Sequence, residues 1–243
     1  AVPEPTPSGP APSGVVTTPE PGGSSPTPTP DAQTLLDTAR RRSAEGAYDE
    51  AATHYRAFLS LYPEDARQLE ARVELGRLLV DQGEAEAALT VLQEPLDGEP
   101  DEPRRSRLAF LLGRALQQLG RAPEAEARYQ QAAESSDLLA PYAWVRVGVS
   151  ALTRGDAAVA SAAAERVLAA PAPPAQRREA LEVLASASVL RGDLEAGLDA
   201  LRQVAEMASG SERAGVLLRL AELLAQAGDR GGAVDVARRV VVE

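Results

Sequence analysis

Six glycines recur along the chain at nearly constant intervals: Gly46, Gly83, Gly120, Gly155, Gly192 and Gly228, spaced by 37, 37, 35, 37 and 36 residues. A period of that length means stacked supersecondary units, because a single unit cannot bury its own apolar face. The flanking residues keep the same register. Seven before each glycine stands a small residue: Ala39, Gly76, Gly113, Gly148, Ala185, Ala221. Five after come Ala51, Ala88, Ala125, Ala160, Gly197 and Ala233, and nine after come Tyr55, Leu92, Tyr129, Ala164, Leu201 and Ala237.

The physical reading is an antiparallel helix pair per period. Each glycine supplies the left-handed residue that stops a first helix. Small residues at matched places let the two axes approach closely, and the large residue nine after the glycine fills the space beside them. The expected architecture is all-α: a right-handed solenoid of six helix-turn-helix units, about 32–65, 69–102, 106–139, 141–174, 178–211 and 214–243. Twelve helices are predicted, with Asp65 and Asp137 as N-caps, Pro141 near a helix start, and the PAPP run at 171–174 as a loop and a boundary of stiffness.

These positions resemble the tetratricopeptide repeat, whose pattern is W-x2-L-G-x2-Y, then A-x3-F, then P. EGAYDEAATHYRAFLSLYP carries Ala51, Tyr55 and Pro63 in that spacing, and the second unit carries Leu75, Gly76, Ala88 and Pro100. In WVRVG, Trp144, Val147 and Gly148 take the places of the family's Trp, Leu and Gly. Gly76, Ala88, Gly113, Ala125, Trp144, Gly148 and Ala160 are therefore the expected structural repeat positions. The units depart from the family in running 35 to 37 residues, and in lacking the closing Pro in the third and fifth. The family resemblance implies a protein-binding scaffold with a concave groove lined by the first helix of each pair.

Composition sharpens this. Residues 1–31 hold ten prolines within the first 30 positions, nine Ser or Thr, and no Leu, Ile or aromatic residue. Such a segment cannot offset its ordering entropy by apolar burial and reads as a disordered linker, semi-rigid where it runs PTPTP. In bacteria such segments commonly follow an export signal or a lipidated cysteine. The expectation is therefore an extracytoplasmic or periplasmic, surface-tethered protein, the alternative being the tail of a cytoplasmic one.

The net charge of −11 disfavours nucleic acid, and no run of 18 apolar residues exists to span a membrane. With no Cys and the single His54, thiolate and two-histidine metal sites are excluded. All 25 basic residues are Arg, and Lys, Asn and Ile are absent, as a GC-rich genome would produce. No catalytic constellation, phosphate loop, metal site or cofactor motif stands out, and His54 has no nominated nucleophile. No cofactor is expected.

One surface pattern is a candidate site. The residue following each small position on the first helix is Arg40, Arg77 and Arg114 in the first three units, then Val149, Ser186 and Glu222. Three guanidiniums in register would form a ladder suited to carboxylates on an acidic protein or peptide. Against this stands the ordinary alternative that the arginines pair with neighbouring Glu and Asp. Further along, Phe110, Tyr142, Val145 and Leu152 would make the groove more apolar.

A second reading starts from the segment SSDLLAPYAWVRVGVSALTRGD, which is similar to the superhelical regions of bacterial soluble lytic transglycosylases. It would make the chain the non-catalytic part of a cell-wall enzyme, although that family's Glu-Ser segment and GLMQ-like run are absent. A third reading is a lipoprotein-like assembly factor of the envelope. The RRVVVE ending leaves Val240, Val241 and Val242 without a covering helix, so continuation of the chain or an interface at that edge is expected.

Overall fold

The computed structural model describes residues 30–96, 102–134 and 138–242. Residues 32–243 form one compact unit. Six antiparallel pairs build the compact unit: α1 Ala32–Ala44 with α2 Tyr48–Leu61, α3 Gln68–Gln82 with α4 Ala85–Leu96, and α5 Glu102–Gln118 with α6 Ala122–Ala133. They continue as α7 Ala140–Thr153 with α8 Ala157–Ala169, α9 Pro174–Leu190 with α10 Leu194–Met207, and α11 Gly210–Gln226 with α12 Arg230–Val242. No strand occurs among the described residues. The chain is thus the predicted helical solenoid, with twelve helices among the described residues.

Apolar periodicity explains each helix. In α10 the buried residues Gly197, Leu198, Ala200, Leu201, Val204 and Ala205 follow the i, i+1, i+3, i+4, i+7, i+8 spacing of one helical face. Every first helix ends in the same way. The six period glycines have φ between 70° and 88°. At Gly83 the amide donates to the Val80 carbonyl at 3.2 Å and the Glu84 amide to that of Leu79 at 2.8 Å, which satisfies two of the last carbonyls. The same long-reach bond recurs at 2.9 Å from Ala47, Arg121, Asp156, Asp193 and Asp229.

Small residues of the first helices stand against bulky side chains at three glycines, in two of them as the register predicts. A Cβ on Gly113 would stand 2.7 Å from the Tyr129 ring, and one on Gly76 would overlap Leu92, so the large residue nine after the glycine does fill the cleft. In the fourth unit that place is Ala164, too small for the task. There Val183 of α9, from the next repeat, occupies the space over Gly148, its Cγ1 2.7 Å from where a Cβ would be. Ala88, Ala125 and Ala160 are fully buried, as their register requires.

Caps differ from expectation. Asp65 is not an N-cap: α3 begins at Gln68, and the Asp65 carboxylate instead accepts from the Arg67 amide at 2.9 Å within the preceding turn. Side-chain caps among the described residues are Asp156, accepting from Val159, and Asp193, accepting from Ala196, each at 3.1 Å, and Asp229, accepting from Gly232 at 2.8 Å. Asp137, Pro100 and the side chains of Val241 and Val242 lie outside what is described. Val240 is half-buried against the last core cluster. The proline run is a loop only to Pro173, since Pro174 opens α9. It does not interrupt the core, because Val145 of α7, Ala160 of α8 and Val183 of α9 belong to one buried cluster. Arg177 also ties the loop closed by donating to the Leu168 carbonyl at 3.1 Å.

Candidate ligand groove

The first helices α1, α3, α5, α7, α9 and α11 carry the predicted ladder and its continuation. Arg40, Arg77 and Arg114 lie along neighbouring helices and point across the seams between them. Arg40 pairs with Glu70 of α3 at 2.7 Å and with Asp37 at 3.4 Å. Arg77 reaches Glu74 at 3.2 Å and Asp81 at 3.3 Å, and donates to Ser43 Oγ of α1 at 3.3 Å. Arg114 of α5 closes on the same Asp81 at 2.9 Å. The structure thus brings Arg77 and Arg114 together through a shared carboxylate, while Arg40 belongs to a separate pair. The hydrogen bond it donates to Glu70 holds the Arg40 guanidinium above its ordinary pKa. All three side chains are 36–44% exposed, so these pairs contribute little stability and are exchangeable.

A cleft of about 510 Å³ opens where α5, α7 and α9 meet. Arg114 and Arg146 both line it, together with Phe110, Tyr142 and Val145 and the amides of Gln117 and Gln176. Arg146 pairs with Glu179 at 2.6 Å, the one carboxylate in that lining. Tyr129, the bulky residue against Gly113, donates its hydroxyl to Gln117 Oε1 at 2.7 Å and so forms part of the cleft wall. Burial pushes the Tyr129 phenol up to about 12, against the opposing pull of Arg146 and Arg114. Arg146 stands two residues before Gly148, out of register with the other arginines, and this hid it from sequence reasoning.

Further along, the lining becomes apolar. A second cleft of about 570 Å³ is bounded by Leu152, Val189 and Leu190 together with Ser186, Arg219 and Glu222. Val189 and Leu190 are 38% and 57% exposed, so they belong to the groove surface, not to the core. Val145 is core as well as lining, being 1% exposed, and Leu152 is half-buried beside the same cluster.

His54 is half-buried beside Tyr55. Among the described residues no group of three or more His, Asp or Glu is placed to hold a metal. No described helix is long and apolar enough to cross a membrane. Trp144 packs where three core clusters meet, as the family's tryptophan position implies.

The geometry agrees with the comparisons. Tetratricopeptide repeat family models match residues 42–109, 110–176 and 145–212, an unbroken stretch of well over half the chain. No curated protein matches this chain in sequence. Among solved structures, a tetratricopeptide repeat protein from Parabacteroides merdae ATCC 43184 superposes with a TM-score of 0.68 at 15% identity, over 87% of this chain and 79% of that one. PilW, described as a widely conserved type IV pilus biogenesis factor, gives 0.65 at 17% identity over 87% and 93% of the two chains. MamA gives 0.62 at 17% identity over 72% and 91%. Identities this low show the shared fold, and none of these matches carries the similarity to transglycosylase superhelical regions. With six glycine-stopped helix pairs, close-packed small residues and these family matches in phase, the chain belongs to the tetratricopeptide repeat family.

Proposed function

We propose that the protein is a non-enzymatic interaction scaffold that binds an acidic, partly aliphatic segment of a partner protein in its concave groove. The fold itself suggests a protein-interaction role. One observation carries the finer reading: two guanidiniums, Arg114 and Arg146, face one cleft that contains the single carboxylate Glu179 and an apolar wall of Phe110, Tyr142 and Val145. A ligand carboxylate would sit between the two forks, with an aliphatic side chain against that wall and further ones along Leu152, Val189 and Leu190. The upstream ladder of Arg40 and Arg77 extends the site only where ligand carboxylates replace Glu70 and Asp81. The Pro/Ser/Thr-rich leading segment supports an extracytoplasmic, envelope-tethered location in a bacterium.

The test is fluorescence anisotropy with a labelled peptide of alternating Glu and Leu. The variant carrying Arg114→Gln and Arg146→Gln should lose binding ten-fold or more at unchanged helicity. The variant carrying Arg40→Gln and Arg77→Gln should lose less. Equal affinity of the first variant and the native protein refutes the groove reading.

A further inference from the structure

A different cavity, about 560 Å³, lies at the N-terminal end of α7 and the C-terminal end of α8. It shares only Tyr142 with the groove cleft. Its walls are the rings of Trp144 and Tyr142, the prolines Pro141, Pro171 and Pro173, and the aliphatic Leu138 and Val167. Leu138 is 88% exposed and Tyr142 39%, an unusual outlay of large apolar side chains on a surface. The prolines fix the local backbone, so the cavity is formed in advance and little ordering entropy is lost on binding.

The chemistry of the walls narrows the ligand. Pro141, Pro171 and Pro173 have no N–H, so this rim offers poor pairing for a β-strand that would add by its backbone. A polyproline-type segment has no such need, since its backbone is solvated and its rings pack flat on aromatic faces. Charge supplies the second constraint. The Arg166 guanidinium stacks over the Trp144 ring, 4.2 Å from its centroid. It has no hydrogen bond or carboxylate partner among the described residues, although Arg40, Arg77, Arg114, Arg146 and Arg154 all hold one. Glu134 lines a smaller neighbouring cavity beside the stack and forms no ion pair with Arg166. An exposed cation already held in place by an indole is a ready partner for a ligand carboxylate.

We infer that this cavity is a second binding site, distinct from the groove, for an extended proline-containing peptide with an acidic residue next to the proline. A proline ring enters between Trp144, Tyr142 and the proline walls, and the adjoining carboxylate takes the free face of Arg166.

Trp144 is the only tryptophan of the chain, so emission excited at 295 nm comes from a ring in the wall of this cavity. The experiment titrates the protein with the acetylated, amidated peptide Pro-Glu-Pro-Thr-Pro, alongside Pro-Gln-Pro-Thr-Pro and Ala-Glu-Ala-Thr-Ala. A saturable change in Trp144 emission is expected for the first peptide. Affinity should fall ten-fold or more for each analogue and for the Arg166→Gln protein, while the variant carrying Arg114→Gln and Arg146→Gln binds as the native protein does. Absence of a saturable change with the first peptide overturns the inference, as does equal binding of all three peptides. Loss of binding in the Arg114 and Arg146 double variant would reassign the peptide to the groove and overturn it equally. Circular dichroism of Arg166→Gln keeps a folding defect from imitating the expected loss.

Discussion

Tyr129 is the residue whose truncation tests the packing logic most directly. It is fully buried, lies in a small cluster with Leu116, Ala125, Val147 and Ala163, and occupies the space left by Gly113. An aromatic side chain of this size buries about 200 Å², and at about 25 cal/mol per Å² its transfer is worth roughly 5 kcal/mol as an upper figure. Three substitutions separate the terms. Tyr129→Phe removes only the hydroxyl that donates to Gln117 at 2.7 Å, a loss of about 0.5–1.5 kcal/mol. Tyr129→Leu places at this site the residue that fills the same cleft over Gly76, where Leu92 is fully buried, and should cost about 1–2 kcal/mol. Tyr129→Ala opens a cavity facing a glycine, where no neighbouring Cβ can relax inward, and should cost about 3–5 kcal/mol. Because each repeat touches only its neighbours, that loss weakens the link between the repeats on either side. Urea unfolding followed by circular dichroism should then separate into two transitions. A graded series from Phe through Leu to Ala is expected. If Ala costs less than about 2 kcal/mol, or no more than Leu, the cleft is plastic and the small-against-large account of the repeat is wrong.

Three shorter predictions follow from the same structure. Ala47 and Asp193 both precede second helices with nearly the same backbone (φ −83°, ψ 66° and φ −86°, ψ 76°), but only Asp193 caps. In thermal unfolding, Asp193→Ala should therefore lose about 1 kcal/mol and Ala47→Asp should gain about 0.5–1. Gly148→Ala should destabilise by about 1 kcal/mol through contact with Val183, and a double-mutant cycle with Val183→Ala should show favourable coupling, whereas Ala164→Gly should not rescue it. The Arg67 side chain and amide hold the Asp65 carboxyl down to about 2, below its ordinary 3.8. Stability from this pair is thus complete above pH about 4 and lost as pH falls through about 2, so Asp65→Asn should flatten the acid limb of a pH–stability curve.

The alkaline side has a counterpart in Tyr129. With its phenol raised to about 12, it favours the folded state below pH about 10, and that contribution disappears as pH rises through about 12. Absorbance at 295 nm should show a late-ionising tyrosine that is missing in Tyr129→Phe.

Much of the fold was legible because it rests on local, periodic facts. A glycine at φ near 80° stops a helix wherever it falls after four turns of apolar spacing, and six in phase leave no other architecture. Alanines at close-approach positions made up for the scarcity of aromatic residues, since narrow helix pairs need small side chains more than bulky ones. The caps were less legible. Asp65 and Asp193 look alike in sequence, but Ala66 and Arg67 prolong the turn after Asp65 before α3 begins, and Asp65 is absorbed into it.

The groove was legible only in part. Arg40, Arg77 and Arg114 share a register that sequence displays, yet which carboxylates meet them depends on how adjacent helices slide past each other. Arg146 enters the central cleft from another register, through the position of α7 against α5 and α9. The Trp144 cavity is assembled from α7, α8 and the loop before α9, with Arg166 twenty-two residues away in sequence from the ring it covers. The sequence by itself determined the number of units, the stop of each first helix and the small residues at the helix crossings, because these depend on neighbours within one period. The tertiary structure decided that Val183 fills the space over Gly148, which arginines share a carboxylate, and which aromatic rings remain open to solvent. Those outcomes depend on contacts between repeats, where the distance between side chains is set by packing and not by spacing along the chain.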